Sequence, residues 1–312
     1  MIIASFIYIA VRLSIPVLLG ITGAIFNEKV GNTNLGIEGM MYMGAFAGFY
    51  TAIATNSVII ALIAACLFGA FGALVYAFAT VSLRTNQIVA GLSLTIFGQG
   101  IARFLGNTLS GGKGESVRIP ETITEKVNFK IPFLSDIPFV GQAFFSYDKL
   151  IYLSLILVIL AYFYINKTRV GLNLRAVGES PAAADAAGIN VSLYKYIHIC
   201  IGGAFCGLGG AYIGIVYLTT WGNSMIAGKG WIAVALVIFA SWNPLRAIYG
   251  SLLFGVTQLI ALRFQDSFIS PYILEMLPYV VTVVILVITS VRMKKENQQP
   301  ASCGVNYFRE ER

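Results

Sequence analysis

The chain is 312 residues long, 57% hydrophobic and only 11% charged, with a mean hydropathy of +0.79. That composition excludes both a soluble enzyme and a disordered chain, and leaves a polytopic membrane protein. A formal net charge of +7 would suit nucleic acid in a soluble protein, but in a membrane protein the basic residues first have to be sorted by side, and no nucleic-acid partner is expected.

Taken in chain order, apolar stretches of about 20 residues, the length a helix needs to cross about 30 Å of hydrocarbon, fall at 2–26, 36–55, 57–80, 87–105, 149–165, 194–219, 225–241, 244–262 and 272–290. They predict an all-α protein with nine membrane helices, because barrel strands would alternate polar and apolar residues. The first stretch has no basic start and no small-residue cleavage site, so it reads as a permanent span. Five connections then share one side: 27–35, 81–86, 166–193, 242–243 and the tail from 291. With the adjacent helix ends they hold Lys29, Arg84, Lys167, Arg169, Arg175, Lys195, Arg246, Arg292, Lys294, Lys295, Arg309 and Arg312, twelve of the 21 basic residues. The opposite side has one long loop, 106–148, in which Lys113, Arg118, Lys126 and Lys130 are outweighed by Glu115, Glu121, Glu125, Asp136 and Asp148. The positive-inside rule makes the first side cytoplasmic, with the N-terminus outside. The expected division is a transmembrane domain over 1–290 and a cytoplasmic tail over 291–312. No stretch of this sequence reads as a fused soluble domain, so energy is expected to come from a gradient or from another subunit.

A few polar residues stand inside this apolar frame. Arg12 falls about ten residues into the first span, where a central arginine costs at least about 2.5 kcal/mol; it either faces the bundle interior or snorkels outward. In "GNTNLGIEGMMYMGAF", Asn34 can cap a helix and Glu38 sits in its first turn near the positive helix end, which leaves open whether Glu38 is structural or lines a transport path. Asn86 and Gln87 open the fourth span and Gln99 lies inside it. Such amides are costly in lipid unless they bond within the bundle or face water, so Asn34, Glu38, Asn86, Gln87 and Gln99 are the candidate path residues. The single histidine, His198, reads as a packed, hydrogen-bonded intramembrane residue. Gly203 and Gly207, then Gly210 and Gly214, repeat at the spacing that lets membrane helices approach closely.

Chemistry is sparse. "NTLSGGKGES" (107–116) invites a P-loop reading, but Lys113 is followed by Gly114 and no glycine stands at 107, so the pattern GxxxxGK[ST] fails. A flexible external loop remains. No HExxH, GxSxG, CxxC or GxGxxG pattern occurs, and Cys66, Cys200, Cys206 and Cys303 are scattered, so no enzyme activity, metal site or cofactor is expected.

The stretch "LRAVGESPAAADAAGINV", 174–191, differs from its surroundings. Ser180 is an N-cap residue, Pro181 suits the first helical turn, "AAADAA" favours helix with Asp185 as its polar member, and Gly188 can stop it in the left-handed conformation. These signals predict a helix of about two turns on the cytoplasmic side. So short a helix is unstable alone, and its small face of Ala183, Ala184 and Ala187 suggests a cytoplasmic protein that packs there.

"GLNLRAVGESPAAADAAGINV", "NLGIEGMMYMGAF", "LRTNQIVAGLSLTIFGQGIARFLG" and "GKGWIAVALVIFASWNPLRAIYGSLLFG" together resemble the permease subunits of bacterial ABC importers of the ribose and branched-chain amino acid superfamily. The similarity runs in collinear order from about 12 to 290 and is nearest to the nucleoside importer permeases that work with BmpA-type lipoproteins. The resemblance implies a type II importer-like fold in the bacterial cell membrane, a homologous second permease, a cytoplasmic ABC ATPase and an external substrate-binding lipoprotein. It also implies that the stretch above is the coupling helix that docks on the ATPase, with Gly171, Arg175, Ala176, Gly178, Pro181, Ala183, Ala184, Gly188 and Ile189 in the family's pattern and Glu179, Ser180 and Asp185 among them. A simple-sugar or branched-chain amino acid permease would share every one of these motifs. A gradient-driven transporter is the rival from another class, and it lacks the mid-membrane acids that ion coupling requires.

Overall fold

The computed structural model describes residues 2–109, 117–129, 135, 137, 140–264, 271–291 and 298–308. Among these the chain is all-α, with only an isolated bridge between Arg118 and Thr220 outside the helices. The helices are α1 (Ile2–Lys29), α2 (Ile37–Thr55), α3 (Val58–Ala77), α4 (Gln87–Leu109), α5 (Glu121–Val127), α6 (Lys149–Lys167), α7 (Arg169–Glu179), α8 (Pro181–Ala186), α9 (Val191–Tyr212), α10 (Lys229–Phe239), α11 (Pro244–Arg263) and α12 (Pro271–Val291). α3 and α9 each run on into a π-helical turn, Phe78–Ser82 and Ile213–Tyr217.

All nine expected stretches contain a helix, of unequal length. Six helices among the described residues are long and apolar enough to cross a membrane: α1, α3, α4, α6, α9 and α11, the third and ninth counted with their π turns. The seventh stretch, 225–241, forms only the 11 residues of α10, about 16 Å at 1.5 Å per residue and so half a bilayer. Its first residues are an irregular approach held by side chains from elsewhere in the bundle.

Burial separates an inner from an outer set. The apolar windows of α1 and α9 are 83% and 72% buried, against 28 to 33% for α3, α4 and α6. α1, α2 and α9 therefore form the centre. Glycines set the spacing there, since a Cβ on Gly207 would collide with the Ala65 carbonyl of α3 and one on Gly44 of α2 would collide with Gly207 itself. Gly203 meets Gly69 and Ala73 of α3, and Gly210 meets the Met41 carbonyl of α2. The four-residue glycine spacing thus marks two faces of α9 that touch neighbouring backbones.

Arg12 is resolved by an ion pair. Its Nε lies 3.2 Å from Oδ2 of Asp148, the residue that precedes α6, while its guanidinium also donates to the Val216 carbonyl (3.3 Å) and lies 5.6 Å from the centre of the Tyr8 ring. Asp148 is only 4% exposed in its side chain; burial pushes its carboxyl above the usual range, and the Arg12 charge opposes that. His198 sits between Tyr194 and Phe26 rings, with Nδ1 bonded to the Tyr194 carbonyl (2.7 Å) and Nε2 to the Tyr164 hydroxyl (3.1 Å).

Removing one partner of a buried pair strands the other charge. Because Arg12 is part-exposed and keeps its contact with the Val216 carbonyl, Asp148→Ala should lower stability by about 1 to 2 kcal/mol, seen as a depressed thermal midpoint of the detergent-solubilised protein. Arg12→Met combined with Asp148→Leu should recover most of that loss.

Candidate functional site

The α7–α8 segment is built by local capping. The Thr168 hydroxyl accepts from the Gly171 amide (3.0 Å) to start α7, and the Ser180 hydroxyl accepts from the Ala183 amide (3.4 Å) to start α8, with Pro181 at the first helical position. Gly188 takes φ +83° and stops the helix, a conformation that a β-branched residue resists. α8 has six residues, about two turns at 3.6 residues per turn.

Ala182, Ala183, Ala186 and Ala187 are exposed on this helix. Ala184, expected on the same surface, is instead 3% exposed and packs inward; the helix is anchored through it, so the offered face consists of its neighbours. Gly178 lies against the Lys29 carbonyl at the end of α1 so closely that any Cβ would collide. Gly171 is packed the same way against the carbonyls of Tyr164 and Ile165. Arg175 and Ala176 are half-buried on α7, Arg175 Nε donating to the Gly171 carbonyl (3.4 Å). Glu179 accepts from the Ala301 amide (3.4 Å), and Asp185 accepts from the Tyr307 hydroxyl (3.0 Å).

The five candidate path residues occupy separate places. Asn34 is 2% exposed and accepts from the Gly36 amide (2.7 Å), but Gly36, not Asn34, occupies the cap position of α2. Glu38, also 2% exposed, accepts from the amides of Gly228 (3.0 Å) and Gly230 (2.6 Å). Its carboxylate therefore holds the N-terminus of α10, where free amides and the positive dipole end meet it. Asn86 caps α4, accepting from Ile88 (3.0 Å) and Val89 (3.1 Å). Gln87 is 1% exposed; it accepts from the amides of Thr33 (2.8 Å) and Gly304 (3.1 Å) and donates to the Val305 carbonyl and Asn306 Oδ1, both at 3.3 Å. Gln99 is half-buried further along α4.

A polar station that the sequence reading passed over lies at the irregular segment before α10. Arg103 of α4 donates to the Asn223 carbonyl (3.0 Å) and sits 5.7 Å from the Tyr42 ring centre, while the Tyr42 hydroxyl reaches the same carbonyl (3.4 Å). Beside it Trp221 packs on Phe46 and Phe49 with centroids 5.8 and 5.6 Å away. Residues 117–119 clamp this connection, Ile119 donating to the Thr219 carbonyl (2.8 Å) and Trp221 to the Val117 carbonyl (2.9 Å). The signal was present in "GIARFLG", a basic residue in an apolar run. The glycine-rich stretch from Ser110 to Ser116 lies outside the described residues, and among the described residues no cluster of His, Cys, Asp or Glu could hold a metal ion.

A helical bundle with deeply buried central helices, a half-length helix held by a carboxylate, and a short capped helix define a multi-pass helical membrane protein. The chain belongs to the family described as the permease component of branched-chain amino acid transport systems, whose model matches residues 5–289. It is 34% identical to the nucleoside ABC transporter permease protein NupC of Lactococcus lactis subsp. cremoris over 95% of this chain and 94% of that one, and 35% identical to the guanosine ABC transporter permease protein NupQ of Bacillus subtilis over 87% of each. It is 33% identical, over 91% of each chain, to TsgC13 of Haloferax volcanii, an ABC permease provisionally named for glucose. The Lactococcus and Bacillus strains each have a second, more distant match, NupB and NupP, at 23% identity. The chain is a permease subunit of an ABC importer in the cell membrane, and its relatives occur as pairs of permease subunits.

Glu38→Gln should remove a charge-assisted contact with two amides and leave one of them facing an NH2 group. A loss of about 2 kcal/mol is expected, read as a lower unfolding midpoint in detergent together with faster hydrogen exchange at the start of α10.

Proposed function

We propose that the chain forms half of the translocation path of a nucleoside importer and passes the motion of a separate ATPase to that path through α8. The observation that carries the coupling role is the exposed face of Ala182, Ala183, Ala186 and Ala187 on a helix whose two ends are fixed by Ser180 and Gly188. Small side chains on a pre-formed, anchored helix let another protein approach closely without loss of rotamer freedom. The second permease reading rests on the two bacteria that each hold a second match, and an external substrate-binding lipoprotein follows from the family resemblance. On this reading Gly171, Arg175, Ala176, Gly178, Glu179 and Asp185 hold α7 and α8 in place, and ATP is hydrolysed by the partner subunit.

Nucleosides are favoured by the two relatives named for nucleoside and guanosine transport at 34 and 35% identity. A glucose-class relative at 33% makes a simple sugar the second reading. The complex, reconstituted with its second permease, ATPase and binding protein, should show ATP-dependent uptake of uridine, adenosine or guanosine. Uptake of glucose or ribose with no nucleoside uptake would replace the first reading by the second.

Ala183→Arg puts a bulky charge where a partner surface has to close. It should cut ATPase recovery in a pull-down with the permease by at least tenfold while leaving the unfolding midpoint of the isolated permease unchanged. Full recovery of the ATPase would remove the docking role from α8.

A further inference from the structure

Residues 298–308 lie outside every motif above, yet they hydrogen-bond to two separate parts of the bundle. On one side they grip the α7–α8 segment. The Ser302 amide and hydroxyl both donate to the Gly178 carbonyl (3.0 and 2.5 Å), Ala301 donates to Glu179, and the Tyr307 hydroxyl donates to Asp185. On the other side they grip the bundle. Gln299 Nε2 donates to Glu28 Oε2 (3.1 Å) and Cys303 Sγ to the Glu28 carbonyl (3.1 Å), both at the end of α1. Asn306 Nδ2 donates to the carbonyls of Arg84 (2.6 Å) and Thr85 (3.0 Å), Gly304 donates to Gln87 at the start of α4, and the Arg84 guanidinium stacks 4.6 Å from the Phe308 ring.

The segment is seated in the chain, with Pro300 buried and Ser302 only 7% exposed. Burial also pushes the Cys303 thiol well above its ordinary range. Glu28 extends the same junction, since its carboxylate accepts from the Trp242 indole (2.6 Å) in the turn between α10 and α11. Four parts of the molecule distant in sequence therefore meet on this stretch: α7–α8, the end of α1, the α3–α4 turn and, through Glu28, the α10–α11 turn. Between Tyr307, Asp185, Arg84 and Gly188 a cavity of about 390 Å³ remains, so the segment spans from α8 to the α3–α4 turn across open space.

We propose that residues 298–308 are a positioning strap that makes α8 and the inner ends of α1 and α4 move as one body, so that displacement of α8 reaches the bundle through Ser302, Asn306 and Tyr307. The inference rests on the reading of α8 as the coupling helix. Hydrogen bonds at both ends and the buried anchors Pro300 and Ser302 suit a strut, and the strap leaves the alanine face of α8 free. Its loss would leave ATPase docking intact and uncouple it from transport.

The test uses the complete reconstituted complex and three permease variants: a chain ending at residue 297, Asn306→Ala and Tyr307→Phe. Three quantities are measured for each: ATPase recovered in a pull-down, ATP hydrolysis in proteoliposomes, and nucleoside imported per ATP hydrolysed. The strap predicts ATPase recovery within twofold of the parent and nucleoside per ATP reduced at least fivefold in the shortened chain, with a smaller drop in the same direction for both point variants. An unchanged ratio in all three variants overturns the proposal. Loss of ATPase recovery in the shortened chain with normal point variants also overturns it, since the segment would then be a docking element. If the shortened chain does not reach the membrane, the two point variants decide alone. Ala183→Arg in parallel separates the two readings: retained docking there defeats the α8 assignment, whatever the strap variants do.

Discussion

Helix backbones in direct contact are the constraint from which the rest of the architecture follows. In a bilayer, lipid tails are as apolar as the side chains, so association depends on close packing and on satisfied polar groups more than on exclusion of water. Gly44, Gly69, Gly203, Gly207 and Gly210 remove the side chains that would hold α2, α3 and α9 apart, and α1 packs closely on α9 where Gly23 meets Gly202. A single methyl group at Gly207 would have to displace main chain and not a flexible side chain, which no local rearrangement accommodates cheaply.

The buried polar groups work at helix ends. Glu38 closes the start of α10, Asp148 sits before α6 and takes the Arg12 charge, and Glu28 binds the turn after α10. Glu38 meets backbone amides that α10 would otherwise leave unsatisfied, while Glu28 and Asp148 take side-chain donors from distant parts of the chain. α10 shows why this matters, because half a crossing leaves its free amides deep in the bundle, and only a side chain from another helix can reach them. Charge in this protein is a joining device between elements as well as a marker of sidedness.

Much of the frame was legible in the residues. The first stretch, read as 2–26, becomes Ile2–Lys29, and 149–165 becomes Lys149–Lys167, because hydropathy over 20 residues is a strong and local signal. The caps of α8 were legible for the same reason: Ser180, Pro181 and Gly188 act on amides within four residues of themselves. What escaped was non-local. Glu38 finds Gly228 and Gly230 about 190 positions away, and Gln87 finds the tail more than 215 positions away. Asn34 also misled, since its side chain bonds the Gly36 amide in a turn ahead of the helix it was expected to start. The tail has no periodicity and few apolar residues, so nothing in its own composition announced that it would bond back to the bundle.

Of the three π-helical turns among the described residues, the two that end α3 and α9 bear on how such a bundle deforms. Phe78–Ser82 ends α3 next to the α3–α4 turn, and Ile213–Tyr217 ends α9 just before the irregular approach to α10. Each adds one residue to the helical ladder and widens it locally, so its hydrogen bonds are less well aligned than those of the α-helix behind it. Elastic load entering a stiff helix gathers at its most compliant segment. Since the glycine contacts lock the middle of α3 and α9 together, bending is left to these two turns, placed at opposite ends of the locked pair in the way flexures sit at the two ends of a rigid lever.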